Sequence, residues 1–257
     1  MLNRALCAAA AVAACASAAY CAFRWRQLAR APAIDEVSRR SGIRGFSVQA
    51  GPFAMFSRLH PGPEGTADPV PVVLAHGLVV SSRYMEPLML VLARWYRVYA
   101  PDLPGFGESR PRCGRRSATL SVEALAYALK RWMDACGLTR AIFIGNSFGC
   151  QILAEFATRF PEATLCLVMQ GPTVDAHARS LRQQLWRAWV NGRREQARSP
   201  AALARIDYAK AGLRRAVAAI RLAIADRIED RLPHVAVPTL IVYGSHDPLV
   251  PVARQSG

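Results

Sequence analysis

Short apolar runs alternate with longer amphipathic stretches along most of the chain. Several of these runs are continuous in Val, Ile, Leu and Ala and are bounded by Pro, Gly or Asp, which is typical of strands buried on both faces. The stretches between them repeat with helical period, most clearly in residues 121–136, where Val122, Leu125, Leu129 and Met133 share one face. The strands predicted in this way are 46–49, 53–59, 70–75, 96–100, 141–145, 165–169 and 239–243, and residues 82–94 are predicted to form a helix.

Strands that alternate with helices predict an α/β fold with a mostly parallel, doubly wound sheet and helices on both faces. Residues 173–232 break this alternation, because they are helical in pattern, rich in arginine and without strand signals. In parallel sheets, ligands bind beyond the carboxyl ends of the strands. We therefore expect the functional site in the loops at residues 76–78, 145–149 and 244–251, each of which follows a predicted strand.

The N-terminal segment has its own character. Residues 6–23 carry no charge and are mostly alanine, with arginines on both sides and more of them after the segment than before it. The length is at the short end of what spans a bilayer, and Tyr20, Trp25 and the downstream arginines favour a membrane anchor that leaves the body in the cytoplasm. A cleaved signal peptide, with export of the body, is the alternative, since residues 16–18 form a small-x-small site. A lipoprotein-like signal at residues 12–15 is the third and weakest interpretation.

Composition and charge narrow the range of partners. The chain has 257 residues, 52% of them hydrophobic, which is enough for one large core. The net charge is +15, but the arginines are dispersed and no zinc-finger or RNA-binding motif accompanies them, so we predict no nucleic-acid partner. None of the seven cysteines forms a C-x-x-C pair, and we predict neither a metal nor an organic cofactor.

The pentapeptide at residues 145–149, Gly-Asn-Ser-Phe-Gly, matches the pattern G-x-S-x-G between a buried strand and a helix. A turn this tight forces the serine into a strained backbone conformation, and Gly145 and Gly149 prevent side chains from colliding with the neighbouring elements. The hydroxyl of Ser147 then projects from the start of a helix, where negative charge is favoured. We predict that Ser147 is a nucleophile.

A serine nucleophile that attacks a carbonyl needs two hydrogen-bond donors for the oxygen that becomes negative. The main-chain N–H of Phe148 is one candidate, because it directly follows the nucleophile. The N–H of Leu78 is the other, since Gly77 allows the loop after the third predicted strand to approach the ligand. We expect His76 to orient this loop through hydrogen bonds rather than to take part in catalysis.

Four motifs in order, at residues 73–77, 102–109, 145–149 and 244–251, resemble those of the α/β-hydrolase fold family in its serine-nucleophile branch. The Gly-Asn-Ser-Phe-Gly turn is similar to that of carbon–carbon bond hydrolases of aromatic degradation and of related esterases. The resemblance implies that Asp247 is the acid of a catalytic triad, with Asp175 as a weaker alternative. It also implies that the helical insertion covers the pocket as a cap.

The family resemblance also implies a catalytic histidine some tens of residues after the acid, whereas ten residues follow Asp247. None of the histidines in the chain fits that place; they are His60, His76, His177, His234 and His246. We therefore expect the chain to be truncated at its C-terminus, without the last strand and helix of the fold. The expected parts are an anchor or signal at 1–23, a linker at 24–43, core at 44–172, the cap at 173–232 and incomplete core at 233–257.

The expected function is hydrolysis of a small, apolar or ester substrate, at an ester or at a carbon–carbon bond next to a ketone. The missing histidine would impair that activity in this chain. The alternative is a non-catalytic, membrane-tethered binding protein of the same fold.

Overall fold

One mixed sheet runs through the computed structural model, which describes residues 2–64, 70–112, 119–172, 179–180, 182–184, 186–187, 190, 201–211 and 213–244. Its described strands are β1 (Arg44–Ala50), β2 (Phe53–His60), β3 (Pro71–Ala75), β4 (Arg97–Pro101), β5 (Arg110–Pro111), β6 (Ala141–Asn146), β7 (Thr164–Gln170) and β8 (Thr239–Val242). The order is β1-β2-β4-β3-β6-β7-β8, and β5 pairs with β2. Pairing is antiparallel from β1 to β4 and parallel from β4 to β8, which confirms the predicted mostly parallel sheet.

Helices cover both faces of this sheet, as predicted. The helices of the described residues are α1 (Leu2–Ala29), α2 (Glu36–Arg40), α3 (Glu86–Leu92), α4 (Val122–Ala135), α5 (Phe148–Arg159), α6 (Ala201–Ala211), α7 (Leu213–Ala225) and α8 (Ile228–Arg231). Strand β3 shows how the two faces are filled. Val72 and Leu74 belong to the core beneath α3, whereas Val73 and Ala75 belong to the larger core beneath α4 and α5. The unbroken apolar run of β3 therefore serves two cores at once.

Two elements differ from the sequence prediction. The helix predicted over residues 82–94 is a 3-10 turn at Ser82–Met85 followed by α3, because Pro87 has no N–H to continue an α-helical ladder and must lie in a first turn. Strand β5 has only two residues, which pair with Phe53 and Ala54 of β2. Its register depends on a partner far away in sequence, so no local pattern could predict it.

Helix α1 continues to Ala29, past the boundary predicted between residues 23 and 24. In the part of the chain that the structure describes, no helix combines the length and the apolar character needed to cross a membrane. The segment after α1 lies against the body. The guanidinium groups of Arg58 and Arg83 donate to the main-chain oxygens of Pro32 and Ala33.

Helices α6 and α7 lie within the predicted cap. Helix α6 packs against α1, and the ammonium group of Lys210 donates to the main-chain oxygen of Ala31 at 2.8 Å. The same ammonium group pairs with the carboxylate of Glu108, in the loop that follows β4. These contacts place α6 beside the carboxyl ends of the parallel strands, where the site is predicted.

Candidate active site

The turn between β6 and α5 presents Ser147 in a strained conformation. Its φ is 52° and its ψ is −115°, a combination that non-glycine residues rarely adopt and that concentrates at functional sites. The N–H of Ser147 donates to the main-chain oxygen of Gln170 on β7 at 2.9 Å, and the N–H of Cys150 donates to the oxygen of Ser147 at 2.9 Å. These two bonds hold the strained residue between the sheet and the helix.

Three glycines allow the backbone segments around Ser147 to approach one another. A Cβ atom at Gly149 would collide with the main-chain oxygen of Ala75, at the end of β3. A Cβ atom at Gly145 would lie 2.9 Å from the N of Cys150, which is too close for a real carbon contact. At Gly77, a Cβ atom would lie 3.5 Å from the Cβ of Ser147. The loop after β3 therefore lies directly against the serine.

The two predicted oxyanion donors are on these neighbouring segments. The N–H of Phe148 lies in the first turn of α5, where main-chain N–H groups point out of the helix end. Leu78 directly follows Gly77, the residue that lies against Ser147. Ser147 and Leu78 are half-buried, whereas the side chain of Phe148 is buried in the core. Ser147 and Leu78 are therefore partly accessible to solvent, whereas Phe148 is not.

His76 links the loop after β3 to the loop after β4. Its Nε2 accepts a hydrogen bond from the N–H of Leu103 at 3.0 Å, and its Nδ1 lies 2.9 Å from the main-chain oxygen of Gly77. An Nε2 that accepts leaves the ring proton on Nδ1, which donates to Gly77. Burial lowers the pKa of His76, so the ring is neutral in this place. Because both ring nitrogens have main-chain partners, His76 orients the loop.

The sequence indicated Asp102 only as part of the motif at residues 102–109. In the structure, its carboxylate organises the loops around the site. One oxygen accepts from the N–H of Ser82 at 2.7 Å and from its hydroxyl at 2.5 Å, and the other accepts from the N–H of Glu108 at 2.7 Å. A Cβ atom at Gly107 would overlap this carboxylate. The signal was present in the sequence, since an aspartate followed by two nearby glycines indicates a loop that folds around its own carboxylate.

A second buried charge, the guanidinium of Arg58, supports the loop that follows β3. Arg58, on β2, is 1% exposed and donates to the carboxylate of Glu86 and to the hydroxyl of Ser82, each at 2.5 Å. Its position in a predicted strand gave no indication of these partners, which lie more than twenty residues away along the chain.

Four residues proposed or considered for the triad, namely Asp175, His177, His246 and Asp247, lie outside the described residues. Of the described histidines, His60 pairs with Val98 near the amino end of β4, at the edge of the sheet opposite to Ser147. His234 lies in the turn that precedes β8, again at the amino ends of the strands. The described histidines therefore provide no base beside the serine.

A depression lies between α7 and the loop that follows β4. Phe106, Leu125 and Leu222 provide much of its apolar lining, and Arg215 closes one side by donating to the main-chain oxygen of Gly105 at 2.6 Å. Ser147 does not line it. We therefore do not assign this depression to the reacting centre.

The chain is similar to known proteins in both sequence and structure. A 2-hydroxy-6-oxo-2,4-heptadienoate hydrolase of Pseudomonas putida is 38% identical over 104 residues, which cover 39% of this chain and 37% of that enzyme. The chain spans well under two thirds of the length of the curated relatives it matches.

Two solved structures share the fold over most of the chain. A membrane phospholipase A is 25% identical with a TM-score of 0.61, covering 98% of this chain and 85% of that one. The enol-lactonase from Burkholderia xenovorans LB400 is 21% identical with a TM-score of 0.62, covering 82% of this chain and 85% of that one. The model of the alpha/beta hydrolase fold matches residues 70–206, more than half of the sequence, and the chain therefore belongs to the α/β-hydrolase fold family.

Proposed function

We propose that this protein is a serine hydrolase in which Ser147 attacks a carbonyl carbon. The observation that carries the proposal is the positive φ of Ser147 at the junction of β6 and α5, with Gly77 packed against it. Strain of this kind persists only where the surrounding structure enforces it. Here it serves to present a hydroxyl at the end of a helix and beside a second loop.

The reaction follows from these positions. The Oγ of Ser147 forms a bond to the carbonyl carbon while its proton passes to a base, and the carbonyl oxygen becomes negative. The N–H groups of Phe148 and Leu78 stabilise that oxygen, a contribution worth about 3 kcal/mol for a single donor. Collapse of the intermediate expels the leaving group, and water then releases the acyl group from the serine. Asp247 is proposed as the acid that orients the base.

The proposed substrate class is an ester, or a carbon–carbon bond next to a ketone, in a small and largely apolar molecule. Similarity to the Pseudomonas putida hydrolase supports the carbon–carbon alternative, and similarity to the membrane phospholipase A supports the ester. Both reactions begin with the same serine attack on a carbonyl carbon, so the site alone does not separate them.

Two substrates test the proposal and separate these classes. We expect slow hydrolysis of p-nitrophenyl butyrate or of a 2-hydroxy-6-oxo-dienoate, because the described residues provide no base beside Ser147, and Ser147→Ala should abolish it. Ser180→Ala, which changes an exposed hydroxyl whose bonds to described residues stay within its own turn, is the control and should keep the full rate. Turnover of either substrate that survives Ser147→Ala would contradict the assignment.

We further propose that α1 brings the protein to a membrane surface. Tyr20, Phe23 and Trp25 are all exposed on α1, and arginines follow them along the chain. Exposed aromatic rings beside cationic groups are typical of segments that lie at an anionic lipid interface. Co-sedimentation with vesicles containing phosphatidylserine should exceed that with phosphatidylcholine alone, and replacing all three aromatic residues by Ser should abolish it. Equal sedimentation of this variant would refute the proposal.

A further inference from the structure

The loop after β3, residues 76–82, is itself strained. Val79 has a φ of 59° although it is β-branched, and its side chain is 4% exposed. A β-branched residue in this region is a true outlier that costs about 1–3 kcal/mol. Val79 directly follows Leu78, the proposed second oxyanion donor. Whatever fixes the backbone around Val79 therefore also fixes the direction of the Leu78 N–H.

Helix α6 provides one anchor for this loop. The carboxylate of Asp207 accepts a hydrogen bond from the N–H of Ser81 at 2.8 Å and another from its hydroxyl at 2.7 Å. The two residues are 126 positions apart in sequence, and Asp207 is 3% exposed. A buried carboxylate is costly unless polar partners compensate it, and Ser81 is the residue that does so here.

The body of the protein holds the adjoining residue in the same way. Asp102 accepts from both the N–H and the hydroxyl of Ser82, and Arg58 donates to that hydroxyl. Ser82 is thus bound to the core while Ser81 is bound to α6. The strained part of the loop lies immediately before this pair of anchors.

We propose that Asp207 is a positioning residue that couples docking of α6 to the assembly of the oxyanion hole. With α6 in place, Ser81 is fixed and Val79 is held in its strained conformation, so that the Leu78 N–H faces the site. When α6 moves away, Ser81 loses its acceptor, Val79 relaxes and the donor turns. This inference rests on the proposed function for the assignment of Leu78. It goes beyond it by naming a residue of the cap region that controls the hole.

Two substitutions of Asp207 separate a positioning role through hydrogen bonds from a role of the side chain in packing alone. Asp207→Asn keeps an oxygen that accepts from the Ser81 N–H and adds an N–H₂ group that donates to the Ser81 hydroxyl, so the link survives. Asp207→Ala removes both bonds and leaves a buried N–H without its partner. The matched control is Asp226→Ala, since Asp226 is another buried carboxylate of the helical region whose partner is Arg231 rather than the loop.

Amide hydrogen exchange of the whole protein tests the link whether or not the protein is active. We expect Asp207→Ala to raise exchange at residues 78–82 by about tenfold, as the loss of one buried hydrogen bond implies. Asp207→Asn should stay within about threefold of the parent, and Asp226→Ala should leave this segment unchanged. Unchanged exchange in Asp207→Ala, or an equal rise in Asp226→Ala, would overturn the proposal.

The rate at which a fluorophosphonate labels Ser147 tests the positioning role itself. Asp207→Ala should lower this rate by about tenfold or more, because misdirection of one donor weakens stabilisation of the oxyanion. Asp207→Asn should restore it and Asp226→Ala should not change it. Faster exchange with an undiminished labelling rate would refute the role. A parent protein that is not labelled would count against the proposed function. Hydrogen exchange would still test whether Asp207 of α6 holds the loop at residues 78–82.

Discussion

The two backbone segments that meet at Ser147 are held in place by different means. The turn at residues 145–149 is fixed by main-chain hydrogen bonds and by glycines that leave no space for a side chain. The loop at residues 76–82 is fixed by buried carboxylates and a buried guanidinium from other parts of the chain. The first arrangement uses the glycines of the turn and main-chain atoms of β3 and β7, whereas the second depends on side chains contributed by β2, α6 and the loop after β4.

The two segments should therefore be sensitive to different substitutions. Added bulk should destabilise the turn at 145–149, and changes of charge should destabilise the loop at 76–82. Four predictions test the comparison.

Loss of the buried guanidinium should have the largest effect. Arg58→Met leaves the carboxylate of Glu86 buried without its cation, and breaking such a pair costs about 3–5 kcal/mol. Urea unfolding measures the loss in the free energy of unfolding. The double variant Arg58→Met with Glu86→Gln should recover part of it, because no uncompensated charge remains. A double variant less stable than either single one would show that the charge is not the cause.

Added bulk in the turn should have the next largest effect. Gly149→Ala forces a Cβ atom against the main-chain oxygen of Ala75, and such overpacking costs about 1–3 kcal/mol or more. Gly137→Ala is the control without a steric contact. Unlike Gly149, Gly137 has a positive φ, of 69°, and a Cβ atom there would meet nothing within 4 Å, so only a conformational cost of about 1 kcal/mol applies. Equal losses of thermal stability in the two variants would mean that crowding at Ser147 is unimportant.

Release of the strain at Ser147 should have a smaller and opposite effect. Ser147→Gly and Ser147→Ala both lack the hydroxyl, but only glycine adopts a φ of 52° at little cost. The glycine variant should therefore be more stable than the alanine variant by about 1 kcal/mol in urea unfolding. If alanine were the more stable of the two, the conformation of Ser147 would not be strained.

The smallest effect concerns the pH dependence of stability. Burial raises the pKa of the Asp207 carboxyl, and the neighbouring Asp102 carboxylate raises it further, while the hydrogen bonds from Ser81 lower it. Because the folded-state pKa exceeds the unfolded one, the folded state binds this proton more readily. Its contribution to the free energy of unfolding therefore rises as the pH falls through the raised pKa, and levels off below the ordinary aspartate value of about 3.9.

Asp207→Asn carries no such proton, so the difference in stability between parent and variant should change in favour of the parent as the pH falls. Urea unfolding of both proteins at a series of pH values measures that difference. A difference that stays constant with pH would show that Asp207 does not titrate in this range.

The sequence predicted the parts of this molecule that are encoded locally. The strand–turn–helix around Ser147 follows from an apolar run, two glycines and a helical period, and the parallel sheet follows from repeated alternation. The sequence did not predict the two-residue strand β5, because its partner β2 is distant in sequence. It also predicted one continuous helix where α3 begins only at Glu86, with Pro87 in its first turn.

The polar support of the loop at 76–82 could not be predicted for the same reason. Arg58 and Asp207 are single charged residues in otherwise unremarked segments, and their roles depend on contacts with residues between 24 and 126 positions away. Pairing of this kind is decided by tertiary packing, which a local pattern does not contain.

The most direct test of the account is to locate the covalent adduct formed by a fluorophosphonate on the intact chain. Tryptic digestion and tandem mass spectrometry should find one modified residue, Ser147, in the peptide that joins β6 to α5, and Ser147→Ala should remove the adduct. An adduct on any other serine, or one that persists in Ser147→Ala, would contradict the claim that this turn presents the nucleophile.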